Sequence, residues 1–330
     1  MRLGSYDGAM RPDWRPDVLG AGFAQCTLTV GEAAPAPTVA TLVRRLPSPP
    51  AMWAGPLRGV DVLYVHGWSD YFFQRDLATA FTRMGARFFA LDLHGYGRSL
   101  RPGDVPGYAV SLDEYDADID AALEAMGTRR GRRLVLVGHS TGGLVLTLWA
   151  ARHPGLASAL VLNSPWLELQ LGSWGRQAIA PLIAARARVQ PQGSQPVVDL
   201  GFYTRAQREL GTLPDAPAGW RPERGFPTHP GWFSAILAGH ATVAAGVDVG
   251  CPALVLLSAR STPPLRWSPA MTSTDSVLVV DDIARAALRI GSVVTIARID
   301  GAIHDVFLSA PEPRDRAYAL LRRWVPAALS

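Results

Sequence analysis

Residues 133–154 read RLVLVGHSTGGLVLTLWAARHP, and the order of apolar and small residues in that stretch decides the fold. Leu134, Val135, Leu136 and Val137 form an unbroken apolar run with β-branched members, the pattern of a strand buried on both faces of a parallel sheet. Gly138, His139, Ser140, Thr141 and Gly142 then read G-x-S-x-G. Residues 144–151 are apolar on every side, as in a helix enclosed by its neighbours. A serine at such a strand-to-helix turn is held in a strained conformation that lifts its hydroxyl above the sheet. The flanking glycines let neighbouring backbones pass without a Cβ clash. Ser140 is therefore the candidate nucleophile.

Outward from this stretch the chain alternates strands and helices. Strands are expected at 60–65, 87–93, 158–162, 252–258 and 292–299, and helices at 73–84, 112–126, 279–289 and 314–324. This is the signature of right-handed βαβ units and a parallel sheet. Residues 23–30 and 38–46 read as two antiparallel strands at the sheet edge, joined by a connection at 31–37 and followed by a proline-rich loop at 47–56. Between 166 and 246 prolines, glycines and tryptophans accumulate and only short helical patterns occur, the mark of an inserted cap. The expected architecture is α/β: a mostly parallel eight-stranded sheet with helices on both faces, a core of 1–165 and 247–330, and a cap at 166–246.

Composition narrows the chemistry. The chain has 330 residues, 48% hydrophobic and 18% charged, with mean hydropathy +0.10, which suits a globular enzyme with a large interior. Net charge is +4 and pI about 9.4. The basic residues are nevertheless dispersed, with short clusters only at 129–133 and 322–323, so a nucleic-acid partner is not expected. No lysine occurs, so all 32 basic residues are arginine. A Ser-Lys dyad, a Schiff-base lysine, pyridoxal phosphate attachment and a lysine-bearing phosphate loop are thereby excluded. Cys26 and Cys251 show neither metal nor disulfide-framework spacing and read as small buried hydrophobes; no metal site and no cofactor is expected. The first residues lack an apolar signal core and no run reaches bilayer-spanning length, so the expectation is a soluble, cytoplasmic protein without stable membrane insertion.

A serine hydroxyl needs a base, and the base needs a third group to fix its tautomer. Of the seven histidines, His304 lies in the loop DGAIHD (300–305) after the last expected strand, where strand C-terminal ends deliver site residues. His139, inside the turn, is expected to point away. Asp275, in the loop after the preceding strand, is the favoured acid; Asp281 and Asp282, in or beside the next helix, are its rivals. Two backbone N–H groups suit an oxyanion: that of Thr141, and that of Trp68 in the HGW loop (66–68) after the strand ending at Val65.

These segments together resemble the α/β-hydrolases, and the chain is similar to the monoacylglycerol lipase, lysophospholipase and serine-aminopeptidase-domain group. The resemblance is carried by HGW at 66–68, DLHGYGRS at 92–99, GHSTGG at 138–143, LNSPW at 162–166, TDSV at 274–277 and IHDV at 303–306. It implies a Ser140, Asp275, His304 triad, and the interval from Asp275 to His304 resembles the family's spacing better than that from Asp281. It also implies that Asp92, His94 and Ser99 hold a turn. The reaction expected is cofactor-free hydrolysis of a small carboxylic ester with an apolar acyl group. Amide, peptide or thioester hydrolysis by the same triad, and a non-hydrolytic ligand-binding or acyl-transfer role, are the alternatives. Trp166, Trp174, Phe202 and Trp232 are the candidates to line the acyl pocket, although cap aromatics equally serve a small core of their own. Glu168, Glu209 and Glu223 are the candidates for the substrate ammonium group that an aminopeptidase would bind.

Overall fold

The computed structural model describes residues 12–31, 37–127, 131–193 and 200–330. The chain start, most of the 31–37 connection and two arginines of the 129–133 cluster lie outside the described residues. In chain order the elements are β1 (Arg15–Pro16), β2 (Ala24–Gly31), β3 (Thr38–Arg45), α1 (Pro49–Ala54), β4 (Val60–Val65), α2 (Arg75–Arg83), β5 (Arg87–Asp92) and α3 (Tyr115–Met126). There follow β6 (Arg133–His139), α4 (Thr141–Arg152), β7 (Ala159–Asn163), α5 (Gly172–Val189), α6 (Phe202–Glu209) and α7 (Pro230–Ala245). The chain closes with β8 (Ala253–Ser258), α8 (Val280–Ala287), β9 (Val294–Ile299) and α9 (Pro311–Ala328).

One sheet runs in the order β1-β2-β3-β5-β4-β6-β7-β8-β9. β4 to β9 pair in parallel, and β1, β2 and β3 add an antiparallel edge. The sheet thus has nine strands among the described residues instead of the expected eight; the extra one is the two-residue β1, too short to leave a periodic signal.

Successive side chains on a strand point to opposite faces, and this divides the core in two. Leu63, Val65, Leu134 and Leu136 face a layer that includes Ile119 of α3, Leu144 of α4 and Ile283 of α8. Val62, Tyr64, Val135 and Val137 face Leu77 of α2 and Leu321 of α9. Burial on both faces is why the central strands read as continuous apolar runs.

Four helices depart from expectation. α1 occupies part of the proline-rich loop, because Pro49 and Pro50 fall in its first turn, where no N–H is needed. Between β7 and β8 the helices are long, α5 spanning 18 residues with Pro181 inside it and α7 spanning 16. α9 starts earlier than expected, again with proline in its first turn. No helix among the described residues is long and apolar enough to cross a membrane.

Candidate active site

Ser140 sits between β6 and α4 with φ 50° and ψ −117°, a left-handed conformation costing a non-glycine residue about 1–3 kcal/mol. Hydrogen bonds from both sides hold it there. Its N–H donates to the Asn163 carbonyl (3.0 Å), and its own carbonyl accepts the Trp166 N–H (2.9 Å) and the Gly143 N–H (3.0 Å). A Cβ on Gly142 would fall 2.3 Å from the His66 carbonyl oxygen, so only glycine lets α4 begin so close to β4. Thr141 opens α4, and the first N–H groups of a helix have no acceptor within it. The 66–68 loop lies against the serine, since a Cβ on Gly67 would come 3.0 Å from Ser140 Cβ. His66 fixes that loop by donating from Nδ1 to the Gly67 carbonyl (2.7 Å) and accepting the Leu93 N–H at Nε2 (3.2 Å). Burial lowers its pKa, which favours this neutral tautomer.

His304 Nδ1 lies 2.9 Å from Asp275 Oδ2, with exposures of 3% and 0%. The other carboxylate oxygen, Oδ1, accepts the Val277 and Leu278 N–H groups at 2.7 and 2.8 Å. Asp275 is held by its own backbone as well, through the Arg260 carbonyl and the Thr262 N–H. A histidine whose Nδ1–H is given to a carboxylate keeps Nε2 to accept a proton. Asp281 and Asp282 are engaged elsewhere, Asp281 with Arg298 (2.6 Å) and Asp282 with Arg285. His139 does not point away as expected: its ring centroid is 5.0 Å from that of His304. Burial first, and the neighbouring His304 among the charges around it, lower the His139 pKa.

Of the pocket candidates, Trp166 and Trp232 lie 6.1 Å apart, and Trp232 packs 5.2 Å from Trp68. Phe202 instead packs on Trp267. Trp174 is 87% exposed on α5. The three candidate ammonium binders are all paired with arginines: Glu168 with Arg176, Glu209 with Arg205 and Glu223 with Arg208.

In the 92–99 loop Asp92 accepts the Phe72 and Arg98 N–H groups and pairs with the Arg98 guanidinium (2.8 Å). His94 is tied to Asp118, and the Ser99 hydroxyl donates to the Asp92 carbonyl. All three brace the turn. Beside His304, sequence reading missed a buried cluster in which Asp305 accepts from Asn163 Nδ2 (2.6 Å) and Gln74 Nε2 (3.2 Å). Among the described residues no group of three or more His, Cys, Asp or Glu could hold a metal ion.

Residues 58–223, half of the chain, match the family described as serine aminopeptidase, S33. The chain belongs to that hydrolase family. A serine hydrolase-like protein of Danio rerio is 32% identical over 108 residues, which are 33% of this chain and 32% of that protein. The monoacylglycerol lipase of Mycolicibacterium smegmatis is 31% identical over 134 residues, 40% of this chain and 44% of the lipase. The matched region thus spans less than half the length of these curated relatives. A monoacylglycerol lipase of Paleococcus ferrophilus shares the fold over 83% of this chain and 96% of its own, with a TM-score of 0.62 at 20% identity.

Proposed function

We propose that the protein hydrolyses small carboxylic esters bearing an apolar acyl group, through an acyl-enzyme on Ser140. The observation that carries this reading is the buried 2.9 Å contact between Asp275 and His304, in a chain that also holds Ser140 at a strained strand-to-helix turn. As Ser140 Oγ attacks the ester carbonyl, His304 Nε2 takes its proton while Asp275 stabilises the imidazolium. The oxyanion rests on the Trp68 and Thr141 N–H groups. The proton passes to the leaving alkoxide, the alcohol departs, and a water activated by His304 releases the acid.

Ester substrates are favoured over aminoacyl amides by the charge of the segment between β7 and β8. Its three candidate ammonium binders are each neutralised by an arginine. We assign residues 166–246 as a cap over a core of 1–165 and 247–330, with Trp166 and Trp232 against Trp68 forming the apolar wall for the acyl group. The names of the M. smegmatis and P. ferrophilus proteins, both monoacylglycerol lipases, support a lipid ester.

The test is a panel of aryl esters of increasing chain length beside aminoacyl amides and acyl thioesters, run on wild type and Ser140→Ala. Esters of medium or long chain are expected to turn over fastest. Ser140→Ala should lose both turnover and labelling by a fluorophosphonate; labelling that persists at wild-type rate would place the nucleophile elsewhere.

A further inference from the structure

We propose that Tyr203, held in place by Gln207 and Arg221, is a positioning residue for His304. The segment around residues 202–221 then completes the active site as well as covering it. The inference rests on the hydrolase reading above and concerns how that site is assembled.

The Tyr203 ring stands edge-on to His304, with centroids 5.4 Å apart and planes at 86°. Its hydroxyl oxygen accepts the backbone N–H of Asp305 (3.2 Å), the residue that follows the base. The same oxygen accepts Gln207 Nε2 (3.3 Å). Gln207 Oε1 in turn accepts Arg221 Nη2 (2.5 Å), and Arg221 Nε donates to Asp70 Oδ1 (3.0 Å). That ion pair is largely dry, with side-chain exposures of 8% and 9%. Asp70 lies two residues after Trp68, beyond Ser69, whose φ is 54°.

One hydrogen-bonded run therefore joins the residue after the base to the loop carrying a candidate oxyanion donor, and each internal link of it belongs to α6 or to Arg221. A buried network of this kind is worth more in geometry than its separate bonds suggest, because each member restricts the next. A base displaced by a fraction of an ångström loses rate without losing substrate affinity. A cap that only shaped the pocket would have the opposite signature, a raised KM at constant kcat.

The experiment uses the full chain and 4-nitrophenyl acetate, whose acyl group is too small to depend on an acyl pocket. Wild type, Tyr203→Phe and Tyr203→Ala are compared in kcat, KM, rate of fluorophosphonate labelling and thermal unfolding. Tyr203→Phe keeps the ring and removes the acceptor for two N–H groups; kcat and labelling rate are expected to fall about tenfold. Tyr203→Ala frees the ring as well, and a fall of about a hundredfold is expected, with KM in both within about twofold of wild type. If Tyr203→Ala has no cooperative unfolding transition, the phenylalanine variant decides alone. Unchanged kcat in an active enzyme overturns the inference, and so does a raised KM with kcat preserved. A wild type that neither labels nor turns over fails at an earlier step, overturning the assignment of Ser140 and this inference with it.

Discussion

Gly67 has room for a hydrogen and little else. A methyl group there would come 3.0 Å from Ser140 Cβ and 3.2 Å from His139 Cδ2, tighter than ordinary carbon contacts, and both neighbours are fixed. The 66–68 loop would have to move away from the serine, carrying the Trp68 N–H with it. Gly67→Ala is therefore expected to lower kcat on an aryl ester by about 100- to 1000-fold, the usual effect of losing one oxyanion donor. Trp68→Ala makes the useful contrast. It keeps the backbone donor and removes only the indole that packs on Trp232 and Phe226. Its kcat should fall far less, and its KM for long acyl chains should rise. Equal kcat losses in the two variants would mean that the Trp68 side chain, not its N–H, serves the reaction.

The elements meet where parallel strands end, and the junction of β7 with the turn after β9 shows how side chains fix that meeting. Asn163 ends β7, donates to Asp305 and accepts the Val306 N–H (3.1 Å). Asp305 then accepts the Phe307 N–H (2.9 Å), so the turn bearing His304 is pinned to the neighbouring strand. Asn163 and Asp305 are each 1% exposed. Asn163→Ala would leave a buried carboxylate and a buried N–H short of partners, and a loss of about 2–3 kcal/mol in urea unfolding is expected. A loss below about 0.5 kcal/mol, the range of a neutral surface substitution, would show that the junction is held by packing alone. None of this was legible in LNSPW or IHDV, because a hydrogen bond between residues 142 apart leaves no local pattern. What was legible followed from periodicity. β6 reads as an apolar run because both its faces are buried, and Ser140 stands out because a tight strand-to-helix turn needs small neighbours. α5 was misread for the converse reason. Gly175 and Pro181 are local helix breakers, and packing against α7 overrides them. The exposure of Trp174 is not legible in the sequence either, because aromatic content tells nothing of which face of a helix is inward.

Across the whole molecule, burial of histidine ties stability to pH. His66, His139 and His240 are 1%, 2% and 0% exposed, and burial lowers the pKa of each. His240, on α7, is the extreme case, lowered to about 4. Its Nε2–H donates to the Trp166 carbonyl (2.9 Å), while the Trp166 N–H holds the Ser140 carbonyl, so the neutral ring links α7 to the serine turn. Between a pH of about 6.5 and 4 the unfolded chain binds a proton at this position that the folded chain refuses. Stability contributed by the neutral ring is thus present above the unfolded pKa, falls as pH drops through that window, and changes little below it. The interval of about 2.5 units corresponds to roughly 3 kcal/mol for this residue. Replacing it by leucine removes the titration together with the hydrogen bond. His240→Leu is expected to be less stable than wild type at pH 7, yet to lose about 3 kcal/mol less than wild type between pH 7 and 4 in urea unfolding. An equal loss in both proteins would mean that the folded state takes up the proton at His240 at its ordinary pKa. α7 would then have to yield enough to admit water beside Trp166. The distinction matters for catalysis, because a ring that protonates in the fold would loosen the Ser140 carbonyl before the molecule unfolds. A ring that refuses the proton keeps that turn intact until global unfolding, and the acid limit of activity is then set by the catalytic groups or by unfolding itself.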